Sequence, residues 1–203
     1  MSLDIHALRA AALRLDAAMA REFEALNAAD GALGDGDLGV TMTRGMKAIV
    51  ELSPNLPDDL GMALMQCAQA FTKTSGSSYG TLMATGLIAM AKILKGRVSC
   101  EASEISGLIA AARDAMQARG KADIGGKTVL DSLDAMAKAS AGLSDAALIA
   151  AAITTSSSEA QIELRGKIAT IGRARIFGEK TIGMDDPGML AMTAIAAAIA
   201  GAV

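Results

Sequence analysis

Apolar residues recur at helical spacing along most of this chain. In the first segment, Leu8, Ala11, Ala12 and Leu15 mark one face, and a repeat of three to four residues is typical of an amphipathic helix. This helix is expected to run to about Asn27. Clusters of glycine, serine and proline interrupt the pattern along the chain. The pattern therefore predicts a series of helices joined by polar loops.

The same periodicity predicts eight or nine helices and no convincing strand. After the first helix, the predicted helices cover approximately 38–53, 57–73, 82–94, 103–118, 128–141, 144–164 and 167–177, and a last helix follows the loop of 178–188. Pro54 and Pro57 end the second helix, and Pro57 suits the first turn of the third. The expected fold is all-α, a single bundle or barrel of about eight antiparallel helices that forms one domain over residues 1–203.

Composition strengthens the all-α prediction. Only 2% of the residues are aromatic, and the apolar volume comes from alanine, leucine, isoleucine and 13 methionines. Alanine, leucine and methionine favour helices, whereas the β-branched and aromatic residues that favour strands are scarce by comparison. Only three prolines interrupt the chain, so long helices can form.

Charge and cysteine content exclude several functional classes. The net charge is −3, and lysine and arginine are scattered along the chain, so no basic face with stacking aromatics is expected for nucleic acid. Cys67 and Cys100 have neither metal-ligand nor disulfide-framework spacing. The N-terminus predicts an amphipathic helix rather than a signal peptide, and the apolar run of 190–203 is too short for a bilayer. We therefore expect a cytoplasmic protein without a membrane or nucleic-acid partner.

An acidic, glycine-rich loop is the clearest candidate for chemistry. Asp30, Asp35 and Asp37 lie within eight residues, separated by three glycines that allow the backbone to fold back. Clustered carboxylates repel one another unless a cation lies between them, and a hard divalent ion prefers oxygen ligands. The helix that begins near Leu38 should direct its free amides toward the same place, where they attract anions. The loop therefore predicts a magnesium–polyphosphate site.

The loop also has two plainer interpretations. Asp37 alone could be an ordinary helix cap. An EF-hand is excluded because the twelfth position counted from Asp35 is Met46 rather than glutamate.

Three further polar loops accompany the acidic one. Ser75, Gly76, Ser77, Ser78 and Gly80 could offer amides and hydroxyls to phosphate. The segment 125–128 reads GGKT but is not a P-loop, since position 121 is lysine and no strand precedes it. In 173–188, aspartate followed by proline predicts a helix start. Because successive antiparallel helices alternate in direction, all four loops can meet at one end of the bundle.

The four loops together resemble the nucleotide-binding L subunit, or equivalent C-terminal domain, of dihydroxyacetone kinases. The matching segments, in order, are LNAADGALGDGDLGVTM, TSGSSYGTL, RGKADIGGKTVLD and RARIFGEKTIGMDDPG. The resemblance implies about eight antiparallel helices, with ADP or ATP and two Mg²⁺ ions closing one end.

The resemblance also implies a set of site residues. The metal ligands would be Asp30, Asp35 and Asp37, and no side chain would act as a nucleophile. The nucleotide contacts implied by the matching motifs are Leu38, Gly39, Val40, Thr41, Ser77, Ser78, Tyr79, Gly120, Val129, Arg173, Asp186, Pro187 and Gly188.

The implied activity is phosphoryl transfer to the hydroxyl of a small ketose or polyol held by a separate K subunit. The chain alone would then be inactive. In one branch of the family a phosphotransferase-system protein donates the phosphoryl group, and in the other branch ATP exchanges freely. The sequence leaves both donors open. It also leaves open whether the chain forms a homodimer. A nucleotide-sensing regulatory module that docks on a partner protein is the alternative function, and a structural bundle that holds calcium is a third.

Overall fold

The structure is a computed structural model that describes residues 2–74 and 76–201. Nine α-helices lie within these ranges: α1 (Ile5–Arg21), α2 (Phe23–Leu33), α3 (Leu38–Leu52), α4 (Leu60–Thr74), α5 (Ser78–Ile93), α6 (Ile105–Gly120), α7 (Val129–Ser140), α8 (Ala146–Arg165) and α9 (Pro187–Ala200). Short 3₁₀ turns span Ser53–Asn55, Ala102–Glu104 and Ala174–Thr181. Ser75, expected to contact phosphate, lies outside the described residues.

Eight of the helices form a closed ring. α1 packs on α3, contacts then run in sequence order from α3 to α9, and α9 packs back against α1. α2 lies beside this ring against α3 and α9. The predicted all-α barrel of about eight helices is therefore confirmed. Among the described residues, every helix is too short or too polar to serve as a membrane span.

Small and flexible side chains fill the core. Met19, Leu26, Met42 and Phe71 are fully buried in its main cluster. Gly45 faces the Phe71 ring so closely that any Cβ would clash with it. Burying each large side chain contributes about 1.5–3 kcal/mol. Methionine suits such a core because its unbranched chain fits irregular gaps between closely packed helices.

The predicted first helix and acidic loop are wrong in their boundaries. The helix ends at Arg21, and α2 follows from Phe23 to Leu33. Asp30 therefore lies in a helix, and the true loop covers only 34–37. Gly34 ends α2 with an extended backbone, and Gly36 has a φ of +76° that favours glycine. A single glycine, here Gly31, is tolerated within a helix, which explains the error.

Two helix starts and one predicted helix also differ from the predictions. α5 begins at Ser78 rather than at 82, because the Ser77 hydroxyl accepts the amide of Gly80 and caps the helix at 3.0 Å. α4 begins at Leu60 rather than at Pro57, and Asp59 accepts the amide of Met62 at 2.9 Å. The helix predicted over 167–177 does not form: only the 3₁₀ turn of Ala174–Thr181 is helical there.

The prediction of no strand is also wrong. β1 (Ser2–Asp4) pairs antiparallel with β2 (Ser99–Glu101), with Leu3 opposite Cys100. Segments of three residues are too short to show the alternation by which strands are recognised in a sequence. The pair joins the residues just before α1 to the residues that precede the second 3₁₀ turn and α6.

Candidate functional site

A cleft of about 990 Å³ opens at one end of the ring, where the four polar loops meet. Most of the residues implied by the sequence lie on its wall: Asp30, Asp35, Asp37, Leu38, Ser77, Ser78, Tyr79, Gly120, Val129, Arg173, Asp186, Pro187 and Gly188. Gly39, Val40 and Thr41 do not. The expectation that the loops gather at one end is therefore confirmed.

Asp30, Asp35 and Asp37, the acidic cluster, can place one oxygen each within 4.8 Å of one another. Asp30 projects from the last turn of α2, and its Oδ2 accepts the amides of Asp37 at 2.9 Å and Leu38 at 3.2 Å. Gly34 packs against the other oxygen, since a Cβ there would lie 2.6 Å from Asp30 Oδ1. The loop is thus folded onto the carboxylate of Asp30.

The electrostatics of the acidic cluster favour a cation. Burial, followed by the charges of Asp35 and Asp30, raises the pKa of Asp37 above its ordinary value. The Arg173 guanidinium forms an ion pair with Asp35 and holds the pKa of that carboxyl down. Arg173 therefore partly balances the cluster from across the cleft. An all-oxygen donor set of this size fits a hard divalent ion such as Mg²⁺.

The first turn of α3 does not offer the free amides that the sequence predicted. Asn27 Oδ1 accepts the amides of Gly39 at 2.8 Å and Val40 at 3.3 Å, and the Thr41 amide bonds to the carbonyl of Asp37 at 2.8 Å. The amides of Gly39, Val40 and Thr41 are thus bonded within the protein in this structure, and the contact of these residues with phosphate stays a prediction.

Sequence reasoning missed Asn27, which caps α3 from α2. Its only signal was its position three residues before Asp30, which places both polar side chains on one helical face.

The start of α5 forms a second wall of the cleft. Ser78 and Tyr79 occupy the first two helical positions, where an α-helix provides no acceptor within itself for the amides. The Tyr79 hydroxyl donates to the carbonyl of Gly188 at 3.0 Å and so joins α5 to α9. Burial, then the charge of Asp186, raises the pKa of Tyr79. Tyr79 is therefore a neutral donor at this wall.

The start of α9 completes the same wall. Asp186 caps the helix by accepting the amide of Met189 at 2.9 Å, and Pro187 takes the first helical position. Burial is the largest influence on Asp186 and raises its pKa to about 7, although Lys127 and two backbone amides act in the opposite direction. Gly188 allows the Tyr79 ring to approach, since a Cβ there would lie 2.9 Å from Tyr79 Cε2.

The remaining wall combines apolar and basic groups. Leu82, Met116, Val129 and Ile171 supply apolar surface. The predicted residue Gly120 lies there between Arg119 and Lys121, two basic residues that sequence reasoning missed. Arg175 of the 3₁₀ turn also lines this wall. The arrangement as a whole places carboxylates, helix N-termini, cations and an apolar surface around one space. These groups suit a polyanion with an accompanying cation and an apolar moiety.

Comparison with known proteins agrees with this geometry. A family model described as the DAK2 domain matches residues 32–201. The chain belongs to the DAK2 domain family. The PEP-dependent dihydroxyacetone kinase, ADP-binding subunit DhaL, of Escherichia coli (strain K12) is 31% identical over 190 residues, which cover 87% of this chain and 89% of that subunit. The resemblance to the L subunit is therefore confirmed.

Larger members of the family match over only part of their length. The triokinase/FMN cyclase of Homo sapiens is 33% identical over 183 residues, which cover 87% of this chain and 31% of that enzyme. The crystal structure of the dihydroxyacetone kinase from C. freundii in complex with AMP-PNP and Mg²⁺ matches with a TM-score of 0.73 and 21% identity. That match covers 96% of this chain and 33% of the kinase, and it shows that the fold is shared.

Proposed function

We propose that this chain is the ADP- or ATP-binding, magnesium-dependent subunit of a dihydroxyacetone-kinase-like phosphotransferase, formed by one domain over residues 1–203. The observation that carries this proposal is the shared cleft. The acidic cluster faces the N-termini of α5 and α9 across a space large enough for a nucleotide. The E. coli relative is named as an ADP-binding subunit, which supports the same assignment.

The acidic cluster is the proposed magnesium site. Asp30, Asp35 and Asp37 would hold Mg²⁺, two ions by the family resemblance, because their oxygens converge and repel one another. Bound Mg²⁺ would neutralise part of the negative charge of the polyphosphate. Arg173, which pairs with Asp35, would then be free to contact phosphate oxygens.

The other walls would bind the rest of the nucleotide. Ser77 and Ser78 with the amide of Tyr79 would hold phosphate oxygens at the start of α5, where the helix dipole favours negative charge. Leu38 and Asp186–Gly188 border this region of the cleft. The apolar surface that includes Val129, next to Gly120, would cover the base.

A partner protein would have to hold the acceptor. The chain has one histidine, His6, which is exposed at the start of α1, away from the residues that line the cleft. The described cleft wall provides carboxylates, cations and hydroxyls without a pair of groups suited to covalent catalysis. The chain would therefore position the nucleotide and stabilise charge, while a K-type subunit holds a small ketose or polyol. ATP or a phosphotransferase-system protein would supply the phosphoryl group, in the cytoplasm.

Reconstitution with a K-type subunit tests this function. We expect phosphorylation of dihydroxyacetone when the chain, the K-type subunit, Mg²⁺ and either ATP or a phosphotransferase-system donor are combined, and none when either subunit is absent. Asp35→Asn/Asp37→Asn should lower the rate by about 100-fold or more, because the metal ligands stabilise charge in the transition state. Asp114→Asn is the matched control, since Asp114 is exposed on α6 and pairs only with Arg113 among the ion pairs of the described residues.

The contrary results separate the alternatives. Magnesium-dependent nucleotide binding without turnover from either donor would favour a nucleotide-sensing regulatory module. Calcium binding without nucleotide affinity would favour a structural bundle. Either result would contradict the phosphotransferase proposal.

A further inference from the structure

Lys127 is the most deeply buried charged side chain among the described residues, with an exposed fraction of 1%. It lies two residues before α7 in the GGKT segment, but its ammonium group does not line the cleft. Instead it donates to the carbonyls of Thr181 at 2.7 Å, Lys167 at 3.0 Å and Arg165 at 3.2 Å. A lysine ammonium has three donors, so these three carbonyls match its hydrogen-bonding capacity.

The three carbonyls lie at the two ends of one stretch of chain. Arg165 and Lys167 are at the end of α8, and Thr181 closes the 3₁₀ turn before α9. Between them, the 166–181 segment consists of an irregular stretch followed by the 3₁₀ turn of Ala174–Thr181, and it supplies Ile171–Ile176 to the cleft wall. Lys127 therefore joins the beginning and the end of the segment at a single buried charge.

The backbone of Lys127 is unusual for a residue with a side chain. Its φ of +61° lies in the left-handed region that favours glycine. Such a conformation costs free energy and persists only where surrounding interactions maintain it. The site of contact also favours a cation, because the carbonyls at the C-terminus of α8 carry the negative end of the helix dipole.

Other hydrogen bonds hold the same segment closed. The Thr181 hydroxyl accepts the amide of Ala169 at 2.9 Å, and the amide of Gly183 donates to Arg165 at 2.8 Å. Arg173 projects from the middle of the closed segment to its ion pair with Asp35. The position of this guanidinium thus depends on a segment whose two ends meet at Lys127.

We propose that Lys127 is a positioning residue of the nucleotide site, which acts by holding the 166–181 segment so that Arg173 is directed toward the phosphates and the acidic cluster. The proposal rests on the nucleotide-binding function proposed above. Lys127 would touch neither the nucleotide nor the metal. Its whole contribution to binding passes through the geometry of the segment, and this separates it from a lysine that binds phosphate directly.

Titration of Lys127→Met with Mg²⁺–ADP tests the proposal. Methionine keeps most of the side-chain volume but cannot donate to the three carbonyls. We expect affinity to fall by about tenfold or more, as the loss of charge-assisted hydrogen bonds implies, with the cooperative unfolding transition retained. Lys180→Met is the matched control: Lys180 is an exposed lysine of the same segment outside the cleft wall, and its affinity should stay within about twofold of wild type.

A double-mutant cycle with Arg173→Ala distinguishes positioning from general destabilisation. We expect Arg173→Ala to weaken binding by itself, and Lys127→Met added to it to cause less than about a twofold further loss. Additive losses, or unchanged affinity in Lys127→Met, would overturn the proposal while leaving nucleotide binding by the wild type intact. A wild type that fails to bind would instead refute the proposed function.

A milder variant guards against misfolding of Lys127→Met. Lys127→Gln retains a hydrogen-bond donor on a shorter side chain, and this variant would replace Lys127→Met in the double-mutant cycle. If both variants lose the cooperative transition, Lys127 supports the whole fold rather than one segment, and the proposal is wrong.

Discussion

The contact between Gly188 and Tyr79 shows how the absence of one side chain, at position 188, controls the shape of the cleft. The Tyr79 hydroxyl donates to the Gly188 carbonyl, and its ring covers the face where a side chain at 188 would project. This contact joins the starts of two helices that are 109 residues apart in sequence.

Replacement of Gly188 by alanine should therefore be destabilising. The added Cβ would lie 2.9 Å from Tyr79 Cε2 and 3.1 Å from Asp186 Oδ1, so the ring must shift. We expect Gly188→Ala to reduce the free energy of unfolding by about 1–3 kcal/mol, the usual effect of overpacking, as measured by urea denaturation.

Gly107→Ala provides the matched control. Gly107 lies in α6, and apart from its chain neighbours and the nearby backbone of its own helix, no described atom lies within 4 Å of the position its Cβ would occupy. This substitution should be neutral or stabilising, since alanine favours helix over glycine by up to about 1 kcal/mol. Equal effects at the two positions would show that the Tyr79 contact is not the cause.

The roles of single residues could be predicted from the sequence where they depend on residues nearby in the chain. They could not be predicted where they depend on residues that only the fold brings into contact. The acidic cluster was recognisable because three carboxylates within eight residues need a counter-charge. The caps from Asn27 and the burial of Lys127 were not recognisable, because each depends on a second helix or loop that only the fold brings near.

At the scale of elements, the start of α9 carries a titratable cap. Asp186 accepts the Met189 amide, and burial raises its pKa from 3.8 to about 7. An acid with a raised folded-state pKa stabilises the fold fully below its unfolded value, and this contribution is lost as pH rises through the folded value. Ionisation of Asp186 should thus lower stability between pH 3.8 and about 7.

Asp186→Asn should remove this part of the pH dependence. Asparagine retains an oxygen for the cap but does not ionise, so we expect the variant to gain stability relative to wild type when pH is raised from about 5 to about 8. Urea denaturation at both pH values measures the difference.

Asp145→Asn is the control for this prediction. Asp145 caps α8 by the same contact, 2.9 Å to the amide of Leu148, but is exposed to solvent. Its substitution should change stability similarly at both pH values. An Asp186→Asn variant that behaves in the same way would contradict the raised pKa.

The existence of the helices was predictable from the sequence, but the residues at which they begin and end were less predictable. Apolar periodicity identified the eight helices of the ring, but it also predicted a helix over 167–177, within the 166–181 segment, because the apolar residues there happen to fit the repeat. Gly172 and Gly178 adopt positive φ there, and Thr181 and Lys127 bond across the segment. Tertiary hydrogen bonds therefore outweigh helix propensity in this segment.

At the scale of the whole molecule, the ring of helices brings four distant loops to one cleft. Residues as far apart in sequence as Asp30 and Gly188, which are 158 positions apart, both lie on its wall. Antiparallel packing made this gathering predictable. The different roles of the helix N-termini were not predictable. The first amides of α3 donate to Asn27 and Asp30, whereas the N-termini of α5 and α9 face the cleft.

The central claim is that the acidic cluster and the cleft together bind a magnesium–nucleotide complex. Calorimetric titration of nucleotide-stripped protein with ADP, with and without Mg²⁺, tests it most directly. We expect binding that requires Mg²⁺ and is lost in Asp35→Ala/Asp37→Ala, with both proteins folded. Absence of binding by folded wild type, or equal binding without Mg²⁺ or in the double variant, would contradict it.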